Sequence, residues 1–268
     1  MATCTHPPHI ALSSSPVSLI SGGSRGLGLA TIEALLARGD RVATFSRSGS
    51  PALSSLSAAH PDQLHVEQLD ASDSHAIDAF VKRAAARFGR IDHCIANAAI
   101  AQEGVLATMR DDEIEAMLAV NVKGAIVLVR ECVRQMLTRP LTAEEPLIAG
   151  RQRSDASVTV LSSVVARRGS TGLSVYAATK AALEGFAISL AREVGSRGIR
   201  VNAVAPGYVE TDLSASLEPA NRERVARRTP LGRLGEKNDV TSAVAFLTSP
   251  AAAFITAQVL AVDGGFSS

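Results

Sequence analysis

Apolar positions along the chain follow two alternating patterns. Short β-branched runs predict strands over Val17–Ser21, Arg41–Phe45, Leu64–Leu69, Asp92–Ala96, Ser157–Ser162, Arg200–Val204 and Val259–Val262. Between them, Ala- and Leu-rich segments predict helices over Leu27–Arg38, Ser74–Phe88, Asp112–Leu137, Leu173–Ser196 and Lys237–Leu247. The runs VSLIS and VTVLS are nearly continuous in apolar character, as strands covered on both faces require. Strand–helix alternation means βαβ units. The expected fold class is therefore α/β, a doubly wound, seven-stranded parallel sheet with helices on both faces.

Two segments break the minimal alternation. Residues 139–156 form a polar, proline-containing insertion between a helix and a strand, which places it at the N-terminal edge of the sheet. Ligands in such folds bind outside the carboxyl ends, so this insertion is expected to lie away from the chemistry. Residues 207–230 follow a strand and fall on the ligand side, where long loops act as lids. Residues 1–16 carry no basic start or apolar run of a secretory signal and are expected to be a disordered lead-in. No composition break follows, so residues 17–268 are expected to form a single dinucleotide-binding and catalytic domain.

Composition narrows the function classes. The chain has 268 residues, 20% of them charged, and a net charge of +1, which gives no electrostatic case for nucleic acid or an anionic membrane. No apolar run approaches a membrane span. Cys4, Cys94 and Cys132 are too few and too scattered for a disulfide framework or a metal cluster. The expected setting is reducing and cytoplasmic, with no metal cofactor.

The first strand runs into SGGSRGLG, Ser21 to Gly28, and then a helix. Glycines at 22, 26 and 28 allow a tight turn and close approach to a pyrophosphate, with the helix N-terminus behind it. The same stretch reads as G-x-S-x-G, Gly22 to Gly26, the nucleophile elbow of a hydrolase. That reading needs a histidine late in the chain, and none follows His93. For a dinucleotide, an acid ending the second strand binds a ribose 2′-OH, whereas an arginine there suits a 2′-phosphate. Here the strand ends ATFSRS, with Arg47 in place of the acid and Arg25 inside the glycine turn. Either the two are solvated surface arginines or they select NADP(H).

The run VYAATK places Tyr176 and Lys180 four residues apart in a predicted helix, hence on one face. A chain with two tyrosines and four lysines rarely does this by chance. Either the pair is incidental, or it is an acid beside a charge that lowers its pKa.

Taken together, these motifs resemble the short-chain dehydrogenase/reductase family over nearly the whole length. The cofactor turn appears as Ser21–Gly28, Y-x-x-x-K as Tyr176 and Lys180, and the catalytic serine thirteen residues earlier as Ser163. VNVKG supplies Asn121, PGYVET spans Pro206 to Thr211, Asp70 matches an acid near the adenine, and VDGG closes the chain. One departure is ANAA, Ala96 to Ala99, where the family has N-N-A-G, so Ala99 adds a methyl where glycine allows close approach. The resemblance implies a Rossmann-type fold and a catalytic set of Asn121, Ser163, Tyr176 and Lys180. It implies a cofactor site of Ser21, Gly22, Ser24, Arg25, Gly26, Leu27, Gly28, Arg47, Asp70, Ala71, Asn97, Ala98, Tyr176, Lys180, Pro206, Gly207, Val209 and Thr211. Tyr176 would protonate the oxygen of a carbonyl receiving hydride, and Ser163 would hold that oxygen. Lys180, ~6 Å away, would lower the phenol by about two pKa units at an effective dielectric of ~20. Asn121 would support a water joining Lys180 to solvent.

Within the family, the segments around Ser189–Leu213 and Thr229–Thr256 look like 3-oxoacyl-acyl-carrier-protein reductases. Arg197 matches an arginine that docks the acidic carrier there. The expected substrate is thus a small carbonyl compound, on a carrier protein or CoA, with Tyr208 lining its mouth or simply packing. Arg222, Arg224, Arg227 and Arg228 either meet an anionic substrate or carrier, or solvate a helix. Alternatives are a specialised-pathway ketone, polyketide-like or cyclic, an NAD-linked alcohol dehydrogenase, and a cofactor-binding sensor. A homotetramer is implied, with the helices at 112–137 and 173–196 across one interface.

Overall fold

The computed structural model describes residues 15–138, 147–148, 151–152, 156–210 and 219–267. In chain order it contains β1 (Val17–Ser21), α1 (Gly26–Arg38), β2 (Arg41–Ser46), α2 (Pro51–Ala59), β3 (Leu64–Gln68), α3 (Ser74–Phe88) and β4 (His93–Ala96). Next come α4 (Asp111–Met117), a π-helical stretch Leu118–Gly124, α5 (Ala125–Thr138) and a small hairpin, β5 (Leu147–Ile148) with β6 (Arg151–Gln152). Last come β7 (Ser157–Leu161), α6 (Val165–Arg168), α7 (Ser174–Val194), β8 (Arg200–Pro206), α8 (Pro219–Arg228), α9 (Lys237–Leu247) and β9 (Val259–Val262).

The main sheet has seven strands in the order β3-β2-β1-β4-β7-β8-β9, and every pairing is parallel. The chain winds outward from β1 to β3, then returns to place β4 on the other side of β1. That reversal opens a crevice between the carboxyl ends of β1 and β4, the place where such sheets take ligands. Side chains on β1 alternate between the two faces. Val17 and Leu19 join a core with α3, α5 and α7, including Phe80, Leu128 and Leu183. Ile20 joins the opposite core with α1 and α9, including Ile32, Leu35 and Val244.

The helix ends follow from local chemistry. Asp73 caps α3 by accepting from the backbone N–H of His75 and Ala76, and Gly89 ends it at φ 80°. Ser50 caps α2, with Pro51 in its first turn. α2 was not expected, because PALSSLSAA carries three serines and only a short apolar stripe. The expected helix over Asp112–Leu137 is present, but Leu118–Gly124 interrupts it with a wider turn. The insertion enters the sheet at the N-terminal edge, where Ser157 pairs with His93. Apart from Leu147–Ile148, Arg151–Gln152 and Ala156, it lies outside the described residues. So do residues 1–14 of the lead-in; Pro16 is tied in by accepting from the Arg41 N–H. Among the described residues no helix is long and apolar enough to cross a membrane, and no group of His, Cys, Asp and Glu could hold a metal.

Candidate active site

A cleft of ≈ 600 Å³ opens along the carboxyl ends of β1, β2, β3, β4, β7 and β8. One half is built for a dinucleotide. The Ser21 hydroxyl ends β1 and accepts from the backbone N–H of both Asn97 and Ala98, at 3.0 and 2.9 Å. The Asn97 amide returns the tie by donating to Ser21 O at 2.9 Å. Gly22 then turns at φ 76°, and a methyl there would meet Ala98 Cα at 3.0 Å. A methyl at Gly28 would lie 2.1 Å from Gly22 O. The turn therefore folds onto α1 with no room for a side chain at position 22 or 28, which exposes the start of the helix. Arg25 at that start makes no side-chain cap, and the first turn holds no acidic residue, so the helix N-terminus faces the cleft with its positive end free.

Arg25 and Arg47 line the cleft, exposed, and neither forms an ion pair among the described residues. Asp70 stands beside Arg47. Its carboxyl is held below the usual range, first by the backbone N–H of Ser72, then by the Ser72 hydroxyl, with Arg47 adding its charge. Two unpaired guanidiniums beside a glycine cradle fit a nucleotide carrying an extra phosphate.

The other half gathers a tyrosine, a lysine and a serine. Tyr176 and Lys180 come one turn apart on α7 and line the cleft with Ser163. The Lys180 Nζ donates to Leu161 O at 2.7 Å and lies 5.7 Å from the centre of the Tyr176 ring. Burial pushes the Tyr176 phenol up to about 12, opposed by a hydrogen bond with Ser163. Burial pushes Lys180 down to about 8. The expected lowering of the phenol by Lys180 is thus corrected: burial sets the direction, and the hydrogen bond with Ser163 opposes it.

Asn121 lies in the π-helical stretch and is fully buried. Its Nδ2 donates to Ile100 O at 2.8 Å and to Thr179 Oγ1 at 3.1 Å, and its Oδ1 accepts from Ile100 N at 2.8 Å. Both amide protons are thus engaged by protein groups. Asn121 clamps the loop after β4 to the residue preceding Lys180.

A family model described as enoyl-(acyl carrier protein) reductase matches residues 22–267. The 3-oxoacyl-acyl-carrier-protein reductase FabG of Escherichia coli is 36% identical over 251 residues, 93% of this chain and 96% of the relative. The chain belongs to the short-chain dehydrogenase/reductase family. Solved structures agree. A short-chain dehydrogenase from Burkholderia cenocepacia in complex with NADP is 30% identical, with a TM-score of 0.83 over 94% of this chain and 98% of that one. A 3-ketoacyl-(acyl-carrier-protein) reductase from Brucella melitensis complexed with NADH is 28% identical, with the same TM-score and coverage.

As a short-chain dehydrogenase/reductase, the chain is an oxidoreductase, and most expected positions meet in one place. Gly22, Ser24, Arg25, Gly26, Leu27, Gly28, Arg47, Asp70, Ala71, Asn97, Ala98, Ser163, Tyr176, Lys180, Pro206, Gly207, Tyr208 and Val209 all line the cleft. Ser21 and Asn121 are buried behind it. Thr211 lies outside the described residues. Arg197 is exposed at the far end of α7, 21 residues beyond Tyr176, about 30 Å along a helix axis, so it does not face this chain's own cleft. Of the basic residues on α8, Arg222 reaches Glu210 at 3.9 Å and Arg227 reaches Glu223 at 3.5 Å. Sequence reasoning missed Gly124, where a methyl would lie 2.1 Å from Ala71 O on the cofactor side. It also read Ser162 as a mere strand end, whereas its hydroxyl donates to Glu184 at 2.9 Å. Nothing local distinguishes that serine; only the returning helix gives it a partner.

Proposed function

We propose that this chain is an NADP(H)-dependent ketone reductase, acting on a 3-oxoacyl thioester, with Tyr176 as the general acid. The observation that carries this reading is the meeting of Ser163, Tyr176 and Lys180 with the glycine cradle and two unpaired arginines in one cleft. The glycine cradle and the two arginines would hold a reduced nicotinamide cofactor, which would supply hydride to the carbonyl carbon. The phenol of Tyr176, fully protonated at neutral pH, donates its proton to the carbonyl oxygen. Ser163 donates a hydrogen bond to that oxygen as negative charge develops on it. The phenolate left behind is stabilised by the Lys180 ammonium in a site shielded from water. Arg25 and Arg47 hold a 2′-phosphate. The neighbours named with NADP and with NADH divide on this point, so the preference rests on these two arginines, which also oppose an NAD-linked alcohol dehydrogenase. The thioester assignment is supported by the 3-oxoacyl reductases among the relatives. The assembly we propose is a homotetramer.

One observation favours a second substrate. Arg168 sits over the Phe266 ring at 4.3 Å, and Phe266 meets the Tyr208 ring edge-on at 5.2 Å. Of these three only Tyr208 lines the cleft, and an aromatic ring there suits a cyclic or polyketide-like ketone. The deciding experiment follows NADPH oxidation with acetoacetyl-CoA, crotonyl-CoA and a cyclic ketone, beside NADH and a Tyr176→Phe control. Turnover of acetoacetyl-CoA alone, with NADPH, supports the thioester reading. Turnover of the cyclic ketone alone moves the assignment, and turnover of crotonyl-CoA alone overturns carbonyl reduction.

A further inference from the structure

The geometry points to Glu184 as the residue that positions Ser163 against Tyr176 and Lys180, an inference that rests on the catalytic reading above. Glu184 lies on α7 four residues after Lys180, on the same helix face, and is buried. Its two carboxylate oxygens hold the two ends of one turn. Oε1 accepts from Ser162 Oγ at 2.9 Å, and Oε2 accepts from Arg167 Nε at 2.8 Å. Ser162 immediately precedes Ser163, and Arg167 lies four residues beyond it on α6. The single Ser162 proton is shared with Lys180 O at 3.2 Å, so the contact also touches the backbone of the lysine.

The turn carrying Ser163 has two sets of anchors. On the sheet side, Ser162 N donates to Val204 O at 2.7 Å and Val164 N donates to Pro206 O at 3.0 Å. These bonds fix the turn against β8 but not against the helix that carries Tyr176. On the helix side, Glu184 gathers both flanks of Ser163, and Lys180 Nζ reaches Leu161 O. A buried carboxylate is a poor way to gain stability, since an apolar side chain of similar volume does as well or better. What the carboxylate adds is direction: it reads a serine and an arginine at defined distances, and so sets where the Ser163 hydroxyl sits relative to the phenol. The cofactor turn is held independently, by Ser21 and Asn97. Loss of Glu184 should therefore misplace Ser163 and leave cofactor binding alone.

The test compares Glu184→Gln, Glu184→Leu, Ser162→Ala and the Ser162→Ala/Glu184→Leu double variant with wild type and Tyr176→Phe. Ketone-reduction kcat is measured by NADPH oxidation, and NADPH Kd by fluorescence titration. The leucine variant should lose about tenfold or more in kcat, because small misplacements of reacting groups are costly. Glutamine keeps an acceptor for Ser162 and should lose less. NADPH Kd should stay within about twofold throughout, and the double variant should be no slower than Glu184→Leu alone. If the leucine variant does not fold, Glu184→Gln and Ser162→Ala carry the same comparison. A kcat within about twofold of wild type in the Glu184 variants, or a kcat loss matched by loss of NADPH affinity, overturns the inference. Wild-type activity in Tyr176→Phe overturns the catalytic reading itself. Loss in Tyr176→Phe beside intact Glu184 variants overturns only the positioning role.

Discussion

Lys180 holds its ammonium 5.7 Å from the centre of the Tyr176 ring, with the Leu161 carbonyl as its hydrogen-bond partner at 2.7 Å. Burial shifts the two groups in opposite directions. The phenol, at about 12, keeps its proton, and the lysine, at about 8, loses its charge first. Ketone reduction should therefore be flat below neutrality and fall as pH rises through about 8, where the charge that stabilises the phenolate is lost. A kcat profile from pH 6 to 10 checks this. Lys180→Met should lose the limb together with most of the activity. Tyr176→Phe should lower kcat by about 10²–10⁴-fold, the range of a general acid, while NADPH still binds.

Arg25 and Arg47 should set the choice of nucleotide. Arg47→Asp is expected to weaken NADPH by about tenfold to a hundredfold, the worth of one charge-assisted bond, and to leave NADH nearly unchanged. The two Kd values, measured at one ionic strength, give the ratio that decides it. Equal losses for both nucleotides would place the arginine off the 2′-phosphate.

Asn121 should matter for folding as well as activity. Removing its amide leaves the N–H and C=O of Ile100 unpaired beside a buried position, at a cost of about 1–3 kcal/mol each. Asn121→Ala is expected to lower Tm by several degrees. Asn121→Asp should be worse, because a carboxylate would face the Ile100 carbonyl. Thermal melts of the two variants, ordered as stated, test the clamp.

His93 makes the fold sensitive to acid. Burial holds it neutral, pushing its pKa down to about 3, and its Nδ1 pairs with Ser157 Oγ at 2.9 Å. A depressed histidine favours the folded state above the unfolded value of 6.5, and that contribution is lost progressively as pH falls from there toward about 3. Urea midpoints between pH 8 and 4 should drop more steeply for wild type than for His93→Gln. Parallel curves would remove His93 as the cause.

Leu118 and Ile188 are large apolar side chains left 46% and 37% exposed on the two helical segments proposed to meet across subunits. Light scattering should report a tetramer for wild type and smaller species for Ile188→Asp. An unchanged mass would move the interface elsewhere.

Much of this was legible in the chain. Seven β-branched runs gave seven parallel strands within two residues at each end, because short apolar stretches bounded by turn residues suit strands covered by helices. The cofactor turn and the Tyr176–Lys180 pair were legible because each is contiguous. What pattern could not supply depends on distant partners. Glu184 looks like any helix carboxylate until Ser162 and Arg167 come to it. The pKa of Tyr176 was misjudged because sequence shows the neighbouring charge and hides the burial. The break at Leu118–Gly124 shows in the sequence only as Asn121 and Gly124, poor helix formers inside a helical pattern, and neither specifies a wider turn; Gly124 is needed there because Ala71 presses against it.

That wider stretch at Leu118–Gly124 also makes the helical hairpin sensitive to residue number as well as residue type. A π turn accommodates about one residue more than an α turn, and one residue turns a helix by about 100°. Deleting a single position such as Val122 would let the segment wind as an ordinary helix. Because the wider turn already absorbs the extra residue, α5 would stay in phase with α4, but the bulge that turns Asn121 toward Ile100 would be lost. The segment works as a spacer whose length is fixed, so a change in its count should cost as much as a substitution at Asn121 or Gly124, while exposed Lys123 should accept other residues.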